Sequence, residues 1–157
     1  MKTFRVRAGL SGDLAGVFAL ERATAEAPHW VEAEYAAMAG GNGADYVRRC
    51  LFVAEAEGAL IGFAVGKVAG GVAELESVAV AVQARRGGVG RVLCGAVVEW
   101  CAGQGAVAVE LEVRAASEGA IGLYRGQGFA EVGRRPGYYS GPVDDAVLMR
   151  LELLGLA

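Results

Sequence analysis

Seven consecutive residues, Arg85-Arg86-Gly87-Gly88-Val89-Gly90-Arg91, combine three guanidinium groups with three glycines where a strand-like run, Val78-Ala79-Val80, gives way to a helical pattern. The first turn of a helix leaves N–H groups without intrahelical acceptors and carries the positive end of the macrodipole, so an anion is stabilised there. Glycine lets the backbone bend and approach a ligand closely. The turn therefore reads as a pyrophosphate cradle. Two familiar phosphate loops do not match it. A P-loop ends in Gly-Lys-Ser/Thr, and this turn has neither lysine nor hydroxyl; a dinucleotide fingerprint needs a third glycine where Leu93 stands.

The carboxylates come next. Ala106–Arg114 alternates strictly, with Val107, Val109, Leu111 and Val113 on one face and Ala106, Ala108, Glu110, Glu112 and Arg114 on the other. Glu112 thus points off the main apolar face. Glu74 and Glu76 lie on the strand that precedes the cradle. One histidine, His29, excludes a multi-histidine metal site, and three cysteines at wide spacing form neither a disulfide framework nor a C-x-x-C motif. No metal is expected. Cys94 and Cys101, seven apart on one predicted helix, are expected in the core as reduced thiols.

The elements that must position these groups follow from periodicity. Phe4–Arg7 reads as a strand, Asp13 opens an amphipathic helix, and Trp30–Met38 reads as a second helix. Leu51–Glu55, Leu60–Val68 and Val72–Val82 are three strands joined across Glu57-Gly58 and Gly70-Gly71, an antiparallel meander. A helix from Val89 ends at Gly103-Gln104-Gly105, Ser117 caps a short helix through Tyr124, and strands near Phe129–Arg134 and Ala146–Leu151 close the chain. The pattern predicts an α+β fold, a mixed and mostly antiparallel sheet with about four helices, in a single domain spanning 1–157.

Bulk properties narrow the partners. The chain has 157 residues, 54% of them hydrophobic, and a net charge of −3. That is ample for one core, and it argues against nucleic acid as the main partner, which asks for a basic surface. No apolar run approaches the ~20 residues needed to span a bilayer, and the first residues carry charge where a signal peptide would be apolar. A cytoplasmic protein with no membrane contact is expected, as monomer or homodimer.

A second signature lies in the C-terminal half: Leu111-Glu-Val-Arg-Ala-Ala-Ser-Glu-Gly-Ala-Ile-Gly-Leu-Tyr124, then Gly128-Phe129, Arg134-Arg-Pro-Gly-Tyr-Tyr139 and Asp145-Ala146. With the cradle, it closely resembles the GNAT N-acetyltransferases, and among them the RimI-type ribosomal-protein-alanine N-acetyltransferases. Glu21 and Pro28-His29-Trp30 extend the likeness over nearly the whole chain. The resemblance implies acetyl-CoA as cosubstrate, with Arg85, Arg86, Gly87, Gly88, Val89, Gly90 and Arg91 at its pyrophosphate and Val78, Ala79 and Val80 beside its pantetheine arm. It implies Glu112 as general base and Tyr124 as general acid, with Tyr138 and Tyr139 on a loop beside the acceptor peptide and Trp30 bordering the groove. Ser117 stands where the family usually has asparagine.

Acyl transfer to an amine needs a neutral nucleophile and a protonated leaving thiolate. A protein α-amine titrates near ~8 and a lysine near ~10.4, so a carboxylate base suffices for the former. Glu112 fits that role, with Glu76 or Glu74 as its substitute or assistant. A tyrosine phenol within hydrogen-bonding reach can protonate the thiolate. The expected reaction is acetylation of a protein N-terminus, such as that of a ribosomal protein. A small-molecule amine as acceptor, or a coenzyme A-binding module without catalysis, are the alternatives.

Overall fold

Glu57 and Gly58 both take positive φ, 53° and 78°, as a two-residue turn matched to strand twist demands, and Gly70 does the same at 72°. These turns join β2 (Val47–Ala56), β3 (Ala59–Ala69) and β4 (Val72–Val80) into the expected antiparallel meander. The computed structural model describes residues 3–23 and 47–153. Trp30, His29 and the helix expected over 30–38 lie outside the described residues. The other elements are β1 (Arg5–Ala8), α1 (Leu14–Ala23), α2 (Val89–Gly103), β5 (Ala108–Arg114), α3 (Glu118–Gly126), β6 (Ala130–Tyr139) and β7 (Asp144–Glu152). Among the described residues there are thus three α-helices beside a seven-stranded sheet of order β1-β2-β3-β4-β5-β7-β6.

Neighbouring strands run antiparallel except β4 and β5, which are parallel. Their ladder is short: Val72 pairs with Ala108, Ala73 with Val109 and Glu74 with Glu110. Beyond it β4 stays on β3 as far as Val80↔Gly62, and β5 stays on β7 as far as Arg114↔Ala146. The two halves of the sheet therefore part like a V.

The larger core packs Val89, Leu93, Cys94, Val97 and Cys101 of α2 against Ala64, Ala73, Leu75, Val109, Leu111 and Met149 of the sheet. On the opposite face Val17 of α1 sits among Leu51, Val53, Phe63 and Val65. The start of α1 is tied down by Arg7, whose guanidinium forks onto both oxygens of Asp13 at 2.7 and 2.8 Å and also reaches Glu55 at 3.2 Å. Those hydrogen bonds hold the Asp13 carboxyl below its usual pKa. All three cysteines are buried and free, and burial pushes their thiols up to about 12.

Three local expectations change. Alternation in β5 begins only at Val109: Val107 is 38% exposed, and Ala106 and Ala108 are buried beside Val109. Gly105 turns the chain at φ 86°, and Val107 N–H then bonds Gly71 O at 2.8 Å, which fixes this segment before the pleat starts. Strand β4 ends at Val80, because a 3-10 turn over Val82–Ala84 replaces its last residues. Tyr138 and Tyr139 belong to the end of β6 rather than a loop, since Tyr139 pairs with Asp144 across an irregularity in the ladder.

Close approach of α2 depends on glycines in β3. A Cβ at Gly66 would lie 2.5 Å from Val97 Cγ1 and 3.0 Å from Cys50 Sγ. Overpacking of that kind costs about 1–3 kcal/mol. Gly66→Ala is expected to lower stability by that amount in urea denaturation; an unchanged midpoint would refute this account of the contact.

Candidate active site

The cradle forms where the last residue of β4 hands over to α2. Arg86 and Gly88 take φ 66° and 84°, and Gly88 is the N-cap of α2 with no side-chain cap bond. Val92 N–H reaches Gly88 O at 3.1 Å, which leaves the N–H groups of Val89, Gly90 and Arg91 without acceptors inside the helix. A Cβ at Gly87 would meet nothing closer than Ala84 O at 3.6 Å, and one at Gly88 only the tip of Arg91 at 3.8 Å, so the space above both is open. Gly90 also serves packing, because a Cβ there would lie 3.2 Å from Leu123; its absence lets α3 rest on α2. Arg85 and Arg86 flank the turn, and Arg85 Nε donates to Val80 O at 3.1 Å. The Val89 side chain is core, so only its backbone belongs to the turn.

The exposed edge of β4 has a definite phase. Ala81 N–H donates to Ile61 O at 2.8 Å, making 81 and 61 a hydrogen-bonded position. Since such positions alternate in an antiparallel ladder, the main-chain groups of Val80 and Val78 point away from β3, into the V. Ala79 points its backbone at β3 and buries its side chain under α1.

Glu112 and Tyr124 flank the V from opposite faces of the sheet. Tyr124 of α3 is buried in the α2 core, 9% exposed, with its ring edge-on to Phe129 at 6.0 Å. Burial, reinforced by Cys94 and Tyr139 nearby, raises its phenol well above the usual tyrosine value. Glu112 lines a cavity of about 270 Å³ on the other face, with Glu74, Glu110, Lys67 and Arg135, and stands 3.4 Å from the Arg135 guanidinium. In this cavity Glu74 is raised above the usual carboxyl range, first by desolvation and then by Glu76 and Glu112.

Glu76 is elsewhere. Val65 faces Ser77 while the next residue, Gly66, faces Leu75, so Glu76 is the extra residue of a bulge. Its carboxylate accepts from Arg49 Nε at 2.8 Å and is not in the cavity wall. Of the two alternative acids, it is Glu74 that shares the cavity with Glu112.

Tyr138, 55% exposed, and Tyr139 sit edge-on to one another at 5.1 Å beside this face. Burial and the nearby Glu112 raise the Tyr139 phenol. Ser117 is the residue before α3, but its side chain makes no cap bond; its carbonyl accepts from Ile121 N–H at 3.0 Å. Sequence reasoning assigned nothing to Arg114 or Arg135, although both flank the tyrosines. The signal for Arg114 was its place on the Glu112 side of the alternation. Among the described residues no group of His, Cys, Asp and Glu is arranged to hold a metal, and no helix is long and apolar enough to cross a membrane.

Residues 15–129 match the family model described as the acetyltransferase (GNAT) family. The chain belongs to that family. Over 143 residues it is 31% identical to the ribosomal protein bS18-alanine N-acetyltransferase of Escherichia coli (strain K12), covering 90% of this chain and 92% of that enzyme. A 79-residue stretch is 47% identical to the uncharacterized protein ML0378 of Mycobacterium leprae (strain TN); it covers 50% of this chain, which spans 21% of that relative's length. The crystal structure of the ribosomal-protein-S18-alanine N-acetyltransferase from Escherichia coli superposes with a TM-score of 0.78 at 28% identity, covering 96% of this chain and 94% of that one. Arabidopsis thaliana NAA60 in complex with acetyl-CoA shares the fold, with a TM-score of 0.83 at 20% identity, covering 98% of this chain and all 100% of that one.

The GNAT match makes this an acetyl-CoA-dependent N-acetyltransferase domain. Its cradle fits a diphosphate on its own geometry: unsatisfied N–H groups, an uncapped glycine N-cap and open space where side chains would otherwise stand. Gly88→Val is expected to weaken coenzyme A binding at least tenfold, because a β-branched residue is strained at φ 84° and would fill that space. Titration calorimetry with coenzyme A checks this, and wild-type affinity in the variant would remove the phosphate assignment.

Proposed function

We propose that this chain, as one domain spanning 1–157 in the cytoplasm, acetylates the N-terminal α-amine of a protein, with a ribosomal protein as the acceptor class. The observation that carries this reading is a carboxylate, Glu112, and a buried phenol, Tyr124, on the two sides of the V. The 31% identity to an alanine N-acetyltransferase along nearly the whole chain supports the choice of acceptor.

Acetyl-CoA, when bound, supplies the thioester. The N–H groups at the start of α2 hold its pyrophosphate, with Arg86 and Arg91 adding charge, while Val78 and Val80 offer backbone partners to the pantetheine arm. Ser117 lies at the head of α3, close to the same arm. The Val80 N–H, turned into the V, is placed to stabilise negative charge on the reacting carbonyl oxygen. Glu112 takes the proton of the acceptor amine, directly or through one water. Tyr124, a phenol that is protonated at neutral pH, delivers its proton to the departing sulfur. Holding amine and thioester together supplies a further ~7–11 kcal/mol. Glu74 stands in the same cavity as an assistant to Glu112, and Tyr138 and Tyr139 border the acceptor.

Radiolabelled acetyl-CoA offered with a panel of octapeptides is expected to label the α-amine of peptides beginning with alanine. Label confined to small amines, or none at all, would overturn the reading. Glu112→Gln is expected to reduce kcat by about 10²–10⁴-fold with coenzyme A affinity unchanged. Tyr124→Phe should also lower kcat without weakening coenzyme binding. Wild-type kcat for Glu112→Gln at every pH would dismiss Glu112 as the base.

A further inference from the structure

Arg114 lies two residues beyond Glu112 on the same face of β5, yet it turns away from the cavity and across the β6–β7 hairpin. Its Nη1 donates to Pro142 O at 3.0 Å and its Nη2 to Ser140 O at 3.1 Å, while the guanidinium carbon sits 4.5 Å over the ring of Tyr139. One planar fork thus holds two carbonyls of the turn and the aromatic at its base. The contacts continue: Tyr139 is edge-on to Tyr138, Tyr138 carries the Arg135 guanidinium at 5.5 Å from its centroid, and Arg135 returns to Glu112 at 3.4 Å. Arg114, Tyr139, Tyr138, Arg135 and Glu112 therefore form a closed circuit of cations and rings that begins and ends on β5.

Further bonds fasten the same hairpin. Asp144 accepts from Ala116 N–H at 2.9 Å, Asp145 accepts from Gly137 N–H at 2.9 Å, and Ala115 N–H reaches Asp145 O at 3.0 Å. They grip its two stems, while Arg114 alone among these groups holds the turn itself at 140 and 142.

We infer that Arg114 is a positioning residue for the acceptor: it locks the β6–β7 turn and its tyrosine pair to the strand carrying Glu112, and thereby sets the width of the groove in which the acceptor peptide lies. This rests on the proposed acetylation of a peptide amine. The geometry favours arginine, whose planar fork bonds two carbonyls while its face lies on a ring; lysine's compact ammonium has donors but no plane to stack. Mobility in the turn would be felt as poorer acceptor binding and leave the coenzyme cradle, on the other side of the V, untouched.

The test measures steady-state kinetics with acetyl-CoA and an octapeptide beginning with alanine, alongside amide hydrogen exchange over residues 137–143. Arg114→Ala is expected to raise the peptide KM at least fivefold, leave the acetyl-CoA KM within twofold, and speed exchange in the turn at least tenfold while β2 and β3 keep wild-type protection. Arg114→Lys should fall between. An unchanged peptide KM overturns the inference even where exchange quickens, as does an equal rise in both KM values, which would mark general loosening. Absence of peptide labelling by the wild-type chain would instead bring down the proposed function, and the inference with it; unaltered exchange in Arg114→Ala would refute the clamp by itself.

Discussion

The parting of β4 from β5 is the constraint on which the rest of the structure depends. Their ladder spans three residue pairs, after which each strand keeps its outer neighbour and releases the other. A sheet cannot open this way without leaving backbone donors and acceptors unpaired, a cost that something polar must offset. Among the described residues, Val78 and the Val80 N–H have no strand partner on that side, while Val80 O accepts from Arg85 Nε. Past the 3-10 turn that follows Val80, the glycine turn at the head of α2 is where the proposed coenzyme pyrophosphate would sit. One topological event creates the crevice, its hydrogen-bonding edge and the approach to α2.

The opening also lets the two faces of the sheet act together. Tyr124 belongs to the core beneath α2, where desolvation raises its phenol. Glu112 belongs to the open face, among charged neighbours and reachable by a solvated amine. In a continuous sheet these groups would be separated by a layer of backbone. The V opens between the two groups, which is the arrangement that the proposed pairing of a phenol acid with a carboxylate base needs.

Packing sustains this arrangement from behind. Gly66 admits Val97 against β3, and Gly90 admits Leu123 against α2, so two glycines of similar appearance in the sequence set the distances from sheet to helix and from helix to helix. The bulge at Glu76 reverses the phase of β4, turning Val78 and Val80 toward α2 and sending Glu76 to Arg49. Glu74 and Glu76, equivalent by simple alternation, thus end in different surroundings.

Much of this was legible in the residues themselves. The meander, the capless glycine turn, the core cysteines and the off-core side of Glu112 follow from turn chemistry and from periods of 2 and 3.6, which depend on neighbours a few positions away. The Leu-Glu-Val-Arg and Leu-Tyr runs likewise sufficed for the family. Tertiary structure alone decided where β5 leaves β4, that Tyr138 and Tyr139 join a strand, that Gly90 serves helix packing, and that Arg114 closes a circuit through the hairpin to Glu112. These outcomes depend on side chains dozens of residues apart meeting at ångström distances, and on a bulge that shifts register by one. Local preference cannot encode such a meeting, because its energy exists only once the distant partners have already been brought together.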